Sequence, residues 1–572
     1  MKEMNGAEVL VKSLEELGIK HIFGYTGAAI LPVFHALAKS PLEIIINSNE
    51  QSSAFSASGY SRSSDSMGVA VVTSGPAITN TLTAVADANC DSIPLIVIAG
   101  QVPEHKMGTD SFQHINVESV FGDAAKKVIQ LSNDQDVEIA IKDAYFFAKS
   151  GKPGPVVIDF PLDKQQRRHN YQGIDINHFQ KSYADEKHLS EKQCSNFFDL
   201  LLESKKPLLY IGGGLNSESG SRSIREFRDY FGIPAVHTLM AKGVDDERDM
   251  LNMGMLGMFG TPYANMIIQE NDFFFALGVR WDDRVAEKVG FAIDSEIAYI
   301  DVNPIKMHQI RIERNPKFSH IGDASVALDD LLIYAKINDI RLNIQEWQEK
   351  ANWFKQSWPL DYNKDSNKIQ SAEVINLLSA YIDENTKITT GVGNHQMLAA
   401  QYLPMRKPKS FMTSGSYGTM GFALPTSVGS YFANPKSRII AIDGDGSLRM
   451  NFGELHTIST LNLPIKVILL NNRSDGMVMN LQDVAYGGMR TGTERPKDID
   501  FSRIAQDLGF CYAQRITERN QLKQGLEELL RKEGPGFLEV CTDIEEILYP
   551  KVPVGASYKD MILGPYMKQK VI

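Results

Sequence analysis

The sequence predicts an α/β protein built from three doubly wound parallel-sheet domains. Two observations carry this. Short apolar runs of strand length alternate with helical-period stretches along most of the chain, the pattern of parallel sheets flanked by helices. Two polar tracts then divide that alternation into three segments of similar size. The 572 residues are long enough for three such units at about 150 residues each.

The first segment, 1–170, opens with MKEMNGAEVLVKSLEELG, which reads as an amphipathic helix without the apolar region of a signal peptide. HIFGY (21–25), LEIIIN (42–47), GVAVVTSG (68–75), PLIVIAG (94–100) and PGPVVIDFP (153–161) read as buried strands. Helical stretches such as ILPVFHALAKS lie between them. The tract KQQRRHNYQGIDINHFQKSYADEKHLSEKQ reads as a linker. The second segment, 190–340, has strands KPLLYIGGG (206–214), DFFFALGVR (272–280) and IAYIDVNP (297–304). A weak stretch at 338–368, rich in Lys, Asn, Gln and Trp, leads to the third segment, 368–550. There the strands are KITTGVG (387–393), RIIAIDGDG (438–446), IKVILLNN (465–472) and PGFLEVCTD (535–543), followed by a tail, 551–572.

A net charge of −11, mixed in sign and without basic clusters, argues against a nucleic-acid partner. No apolar run reaches the roughly 20 residues of a membrane span. Cys90, Cys194, Cys511 and Cys541 are far apart and form no metal or CxxC spacing, which suits a reduced, cytoplasmic protein.

The chemistry is concentrated in AIDGDGSLRMNFGELHTISTLNLPIKVILLNN (441–472). Two apolar strands, separated by one helix, end in polar stops. Such strand ends are where open α/β sheets hold ligands. Gly444 and Gly446 would let backbone amides approach an anion near a helix start. Asp445 is a hard oxygen ligand and Asn472 offers an amide oxygen. Together they suit Mg²⁺ shared with a diphosphate, since magnesium takes few protein ligands besides phosphate oxygens. A turn plus a capping Asn is the plain alternative for either half alone; both stops on adjacent predicted strands favour the metal.

GDG, apolar helix, apolar strand and NN together resemble the signature of thiamine diphosphate enzymes. The resemblance implies that Asp445, Asn472 and the backbone carbonyl of Ser474 bind Mg²⁺. It also implies a carboxyl group against the cofactor's aminopyrimidine ring, and Glu50, in IIINSNEQSSAF after the strand LEIIIN, matches it. Burial would raise such a carboxyl and suit acid–base work. Asn49 stands where the family carries His. Larger blocks narrow the likeness. FGYTGAAILPVFHAL, VTSGPAITNTLTAVADANCDSIPLIVIAGQVP, MGTDSFQ, SGKPGPVVIDFPLD, GVGNHQMLAAQY, SGSYGTMGFALPTSVG and YPKVPVGAS resemble the acetolactate synthase (acetohydroxyacid synthase) large-subunit family over nearly the whole chain.

By that resemblance the three domains bind the pyrimidine, FAD and the diphosphate in turn. Met420 would lie beneath the bent cofactor. His395, Gln396, Ser447 and Met477 would join Gly444, Asp445 and Gly446 around it. Gln113 and Phe112 would line the entrance, with Ala28 near the substrate. VHTLMAKG, NMGMLGMFGTPYAN, GVRWDDRV and IDVNP…HIGDAS resemble the family's FAD domain, implying Gly213, Gly214, Thr238, Leu239, Met240, Arg280, Val285, Asp301 and Asp323 as FAD contacts. Phe259 stands where that block carries His.

The implied reaction decarboxylates pyruvate and transfers the two-carbon unit to a second carbonyl, pyruvate itself giving 2-acetolactate. Arg284 matches an arginine near the substrate channel and could receive a carboxylate; a pair with Asp283 is the plain alternative. Departures gather near the acceptor: Leu481 for the family's Trp, Ala28 for Gly, Thr26 for Pro, Asn394 for Gln. They leave open a different acceptor, such as a nucleotide-linked keto sugar. A thiamine-dependent 2-keto acid decarboxylase is a further alternative, against which no His-His pair is found. A non-catalytic module would need Glu50, Asp445 or Asn472 broken. The family builds its site between chains, implying a homodimer or homotetramer, and the sequence leaves room for a regulatory subunit.

Overall fold

Each of the three segments folds around its own six-stranded, all-parallel sheet, the doubly wound α/β architecture predicted from the alternation. The computed structural model describes residues 2–131, 136–183, 187–286 and 290–570. A short strand, β1 (Lys2–Asn5), precedes the expected first helix, Gly6–Glu16, which Asn5 and Glu8 start with a reciprocal capping box. The first sheet contains β2 (His21–Gly24), β3 (Glu43–Ile46), β4 (Gly68–Val72), β5 (Leu95–Gln101), β6 (Lys127–Gln130) and β7 (Pro155–Pro161), in the order β3-β2-β4-β5-β7-β6.

The tract read as a linker is partly structured. Its β8 (Arg168–Tyr171) pairs antiparallel with β1, and a helix follows at Ile176–Tyr183. The pairing needs an N-terminal strand some 160 residues away in sequence, which no local pattern reveals. Residues 184–186 of that tract lie outside the described residues.

The middle sheet contains β9 (Pro207–Ile211), β10 (Ala235–His237), β11 (Asn252–Met255), β12 (Phe273–Leu277), β13 (Glu296–Asp301) and β14 (Phe318–Ile321), in the order β11-β10-β9-β12-β13-β14. The third contains β15 (Thr386–Thr390), β16 (Phe411–Met412), β17 (Arg438–Gly444), β18 (Lys466–Asn471), β19 (Tyr512–Ile516) and β20 (Gly536–Cys541), in the order β16-β15-β17-β18-β20-β19. Among the described residues, no helix is long and apolar enough to cross a membrane.

The first and third sheets share a core. Phe23, Phe55, Ala57, Phe422, Val428 and Leu455 belong to one buried cluster. Its centre is the contact between helices Glu50–Ser63 and Ala423–Ala433, both lined with small residues. A Cβ on Gly429 would stand 1.8 Å from the Ser56 carbonyl oxygen, and one on Gly59 would stand 2.4 Å from that of Thr426. Only glycine lets the two backbones approach so closely.

Candidate active site

In all three sheets the chain winds outward one way, then returns to the other side of its starting strand. The reversal falls between β2 and β4, between β9 and β12, and between β15 and β17. Such switch points open crevices at the strands' C-terminal ends. Several candidate residues lie close to these places, while Asp301 ends β13 and Asp323 follows the edge strand β14.

At the third crevice, β17 ends in Gly444, and Asp445 begins a short helix, Asp445–Leu448. Asp445 is 2% exposed, yet among the described residues neither of its carboxylate oxygens has an aligned hydrogen-bond partner. Burial raises its carboxyl to about 6, against the opposing pull of Arg495. Asn472 follows β18, and its Oδ1 accepts the Ser474 N–H at 3.1 Å. The side chains of Asn472 and Asn394 converge on Gly476, where a Cβ would lie 2.9 Å from each Nδ2. The Asn394 Oδ1 is buried without a partner. These orphaned oxygen donors fit a hard divalent cation. Among the described residues no cluster of three or more His, Cys, Asp or Glu could hold a metal, so such a cation would depend on one carboxylate, amide and carbonyl oxygens, and an anionic ligand.

His395 opens the helix Asn394–Tyr402, and burial drives its imidazole down to about 3, so it stays neutral at pH 7. Its Nε2 lies 3.5 Å from Asp443 Oδ1. Gly444 and Gly446 serve by lacking a Cβ. At Gly444 it would stand 2.8 Å from His395 Nδ1; at Gly446 it would stand 2.1 Å from Asp475 Oδ1 and 3.3 Å from Met420 Cε. Met420 therefore borders the GDG turn. Ser447 accepts the Gly421 N–H at 2.9 Å, which ties the Met420 loop to the same turn. Gln396 is already committed, its Nε2 donating to Thr413 Oγ1 at 2.7 Å and to the Ser414 carbonyl at 3.0 Å. Met477 and Leu481 share the helix Gly476–Ala485; Met477 is half-buried and Leu481 is exposed.

A buried network anchors the loop before Met420. Arg62 donates to Asp87 at 2.6 Å, to Asp91 at 3.0 Å and to the Thr413 carbonyl at 3.1 Å. Asp87 accepts the Thr419 hydroxyl at 2.8 Å, while Asp91 accepts the Gly415 and Ser416 N–H groups at 3.0 and 2.9 Å. The first domain thus holds the third domain's loop.

At the first crevice, Glu50 starts the helix that Asn49 caps, the Asn49 Oδ1 accepting the Ser52 N–H at 2.8 Å. Asn80 Nδ2 donates to Glu50 Oε2 at 2.8 Å. Within this chain Glu50 is only half-buried, so the full burial expected of it is not met here. Gln113 has a φ of 60° and packs on Gly75, at the start of the helix Pro76–Asn80 whose last residue contacts Glu50. Phe112 beside it is 86% exposed, and Ala28 is exposed in the turn Ala28–Ile30.

At the middle crevice, Gly213 and Gly214 follow β9. A Cβ on Gly214 would lie 2.9 Å from Gly278 Cα, and one on Gly213 would lie 3.0 Å from Met240 Cβ. The Thr238 hydroxyl is buried without a partner, and Leu239 packs toward the third domain's core. Arg280 is exposed, with Asp282 3.9 Å away. Val285 is buried, but Arg284 is 68% exposed and among the described residues makes only a loose 3.6 Å pair with Asp283, the plain alternative for it. Asp301 is raised by burial to about 6 and accepts the Asn303 N–H at 2.8 Å. Asp323 caps the helix Ala324–Ile337, accepting the Ser325 N–H at 2.7 Å. Phe259 packs against the third domain's core, and its carbonyl accepts from Gln401 at 3.0 Å.

Sequence reasoning missed Asp475, Arg495 and Asn80. Asn80 lies in a helical block quoted only for its likeness. Arg495 lies in an aperiodic polar stretch and reaches Asp445 only through tertiary pairing.

Three family profiles match the chain. They are described as the N-terminal TPP binding domain, central domain and C-terminal TPP binding domain of thiamine pyrophosphate enzymes, over residues 4–120, 194–331 and 391–540. The chain is 36% identical over 575 residues to acetolactate synthase 3, chloroplastic, of Brassica napus, covering 97% of this chain and 86% of that one. To acetolactate synthase 1, chloroplastic, of Zea mays it is 36% identical over 578 residues, covering 98% and 88%. To the acetolactate synthase large subunit of Pyropia yezoensis it is 35% identical over 569 residues, covering 98% and 95%.

Proposed function

Because the chain belongs to the acetolactate synthase family of thiamine diphosphate enzymes, we propose that its three crevices hold the pyrimidine end of the cofactor, FAD and the Mg²⁺–diphosphate end respectively. The protein is a thiamine diphosphate-dependent carboligase that takes pyruvate as donor, with a second pyruvate giving 2-acetolactate. Other acceptors and simple decarboxylation are not favoured, since the relatives reported above carry the name acetolactate synthase.

The observation that carries the site assignment is the buried Asp445 carboxylate, without an aligned hydrogen-bond donor among the described residues, at the β15/β17 switch point beside Asn472. Asp445, the Asn472 amide oxygen and the Ser474 carbonyl would hold Mg²⁺. Thiamine diphosphate, when bound, supplies the nucleophilic carbon and the electron sink for decarboxylation. Glu50 would lie against the cofactor's aminopyrimidine ring and exchange a proton with its nitrogen. Met420 supports the cofactor from the GDG side. Gln113 and Phe112 would line the entrance, with Ala28 near the substrate, and Leu481 would border the acceptor. Arg284, paired only loosely with Asp283 among the described residues, would receive the acceptor carboxylate.

FAD binding at Gly213, Gly214, Thr238 to Met240, Arg280, Val285, Asp301 and Asp323 is supported by the glycine cradle and the unpartnered Thr238 hydroxyl. The domains would run 1–170, 190–340 and 368–550, in a homodimer or homotetramer. A reduced, cytoplasmic setting is supported by Cys90, Cys194, Cys511 and Cys541, all unpaired.

The test is incubation of purified protein with thiamine diphosphate, Mg²⁺, FAD and pyruvate alone, assaying acetolactate. Acetolactate formation is the expected result. Carbon dioxide release without acetolactate would overturn pyruvate as acceptor, and neither product, with cofactor bound, would overturn it as donor.

A further inference from the structure

Arg495 belongs to no helix or strand of its own, yet its position is tightly set. Ser474 pairs with Glu494 in a short antiparallel bridge. In it the Arg495 N–H donates to the Arg473 carbonyl, and the Asp475 N–H donates to the Thr493 carbonyl, both at 2.9 Å. The bridge puts Arg495 beside Ser474 and across from Asp445. Its Nη2 donates to Asp475 Oδ1 at 2.6 Å. Its Nη1 lies 3.0 Å from Asp445 Oδ2, but without hydrogen-bond alignment. Nε and Nη1 are both buried and have no aligned acceptor among the described residues.

A guanidinium held only to pair with Asp475 would not bury two cationic N–H groups unmatched, because each unmet buried donor is costly. Nη2 lies 2.7 Å from where a Cβ on Gly446 would stand, so the guanidinium packs against the GDG turn. A planar fork with uncommitted N–H groups suits phosphate oxygens, and Asp475 fixes it through Nη2. The arginine also offsets one of the two carboxylates, Asp445 and Asp475, that an incoming polyanion would otherwise meet.

We propose that Arg495 is a further diphosphate-binding residue, donating from Nε and Nη1 to phosphate oxygens and oriented by Asp475. This rests on the reading of the Asp445 crevice as the metal–diphosphate site.

Isothermal titration calorimetry tests it, with thiamine diphosphate and separately with inorganic pyrophosphate, each at fixed Mg²⁺, on the wild type, Arg495→Gln, Arg495→Lys and Asp445→Asn. Arg495→Gln should weaken both ligands by about tenfold or more, the scale of a charged hydrogen bond. Arg495→Lys keeps the charge and its pair with Asp475, so it should fold and recover part of the loss. Pyrophosphate carries no rings, and a parallel loss therefore locates the contact at the phosphates. Unchanged or tighter binding of both ligands by Arg495→Gln, while Asp445→Asn loses them, overturns the inference alone. Failure of the wild type to bind thiamine diphosphate overturns the parent reading and this inference with it.

Discussion

Asp159 shows what a buried carboxylate implies when no cation lies beside it. It sits on β7, 2% exposed, with one oxygen unpartnered and the other receiving only a 3.4 Å contact from Gln101. Burial pushes its carboxyl up from 3.8 to about 7. A raised carboxyl binds its proton more tightly when folded, so stability is highest below the unfolded value and falls as pH rises toward 7. Asp159→Asn should therefore stabilise the protein more at pH 8 than at pH 5, by roughly 2–3 kcal/mol at 1.36 kcal/mol for each pKa unit. Thermal melts at both pH values check this; an equal effect at both would contradict it. Residues of this kind were invisible in the sequence, where PVVIDFP reads only as a strand. Asp445 and Asn472 were legible because their chemistry coincides with strand ends. Arg495 was not, since its partners lie 20 and 50 residues away in sequence.

The helix pair Glu50–Ser63 and Ala423–Ala433 is the element on which the active site turns. One helix begins with Glu50; the other follows directly on the loop bearing Met420. Gly429→Ala would press a methyl group into the Ser56 carbonyl, whose separation from that Cβ is 1.8 Å. Overpacking of this kind costs typically about 1–3 kcal/mol. The expected outcome is a lower unfolding midpoint by thermal melt, with thiamine diphosphate affinity falling as the helices separate. An unshifted midpoint would mean the contact yields freely. The central strands of every sheet were legible from their uninterrupted apolar runs, such as FFFAL and KVILL. The strands missed in the three parallel sheets, β6, β10, β11, β14, β16 and β19, are edge or penultimate ones, short or only partly buried, where the apolar signal fades. The glycines of the helix pair carried no readable meaning until the partner helix was in place.

At the scale of the molecule, Glu50 is half-buried, and Phe112, Met450 and Leu481 present apolar surface near the first and third crevices. A site shared between two copies would cover them. In that case Glu50→Gln and Asp445→Asn homomers are each inactive, but co-expression of the two restores about a quarter of wild-type activity, from one intact site in half of the isologous dimers. No recovery would place both halves of a site in one chain. The shared core has a consequence for synthesis. Asn47 donates to Glu454 across 407 residues of sequence, so the first domain's inner face meets its cover only when the third is made. At about 5–20 residues per second, the ribosome needs roughly 20–80 s to supply it. Through that interval the nascent chain displays Phe55 and its neighbours to whatever is nearby. The newborn N-terminal third is then a client for chaperones, and a chain stopped before residue 420 is a candidate for aggregation.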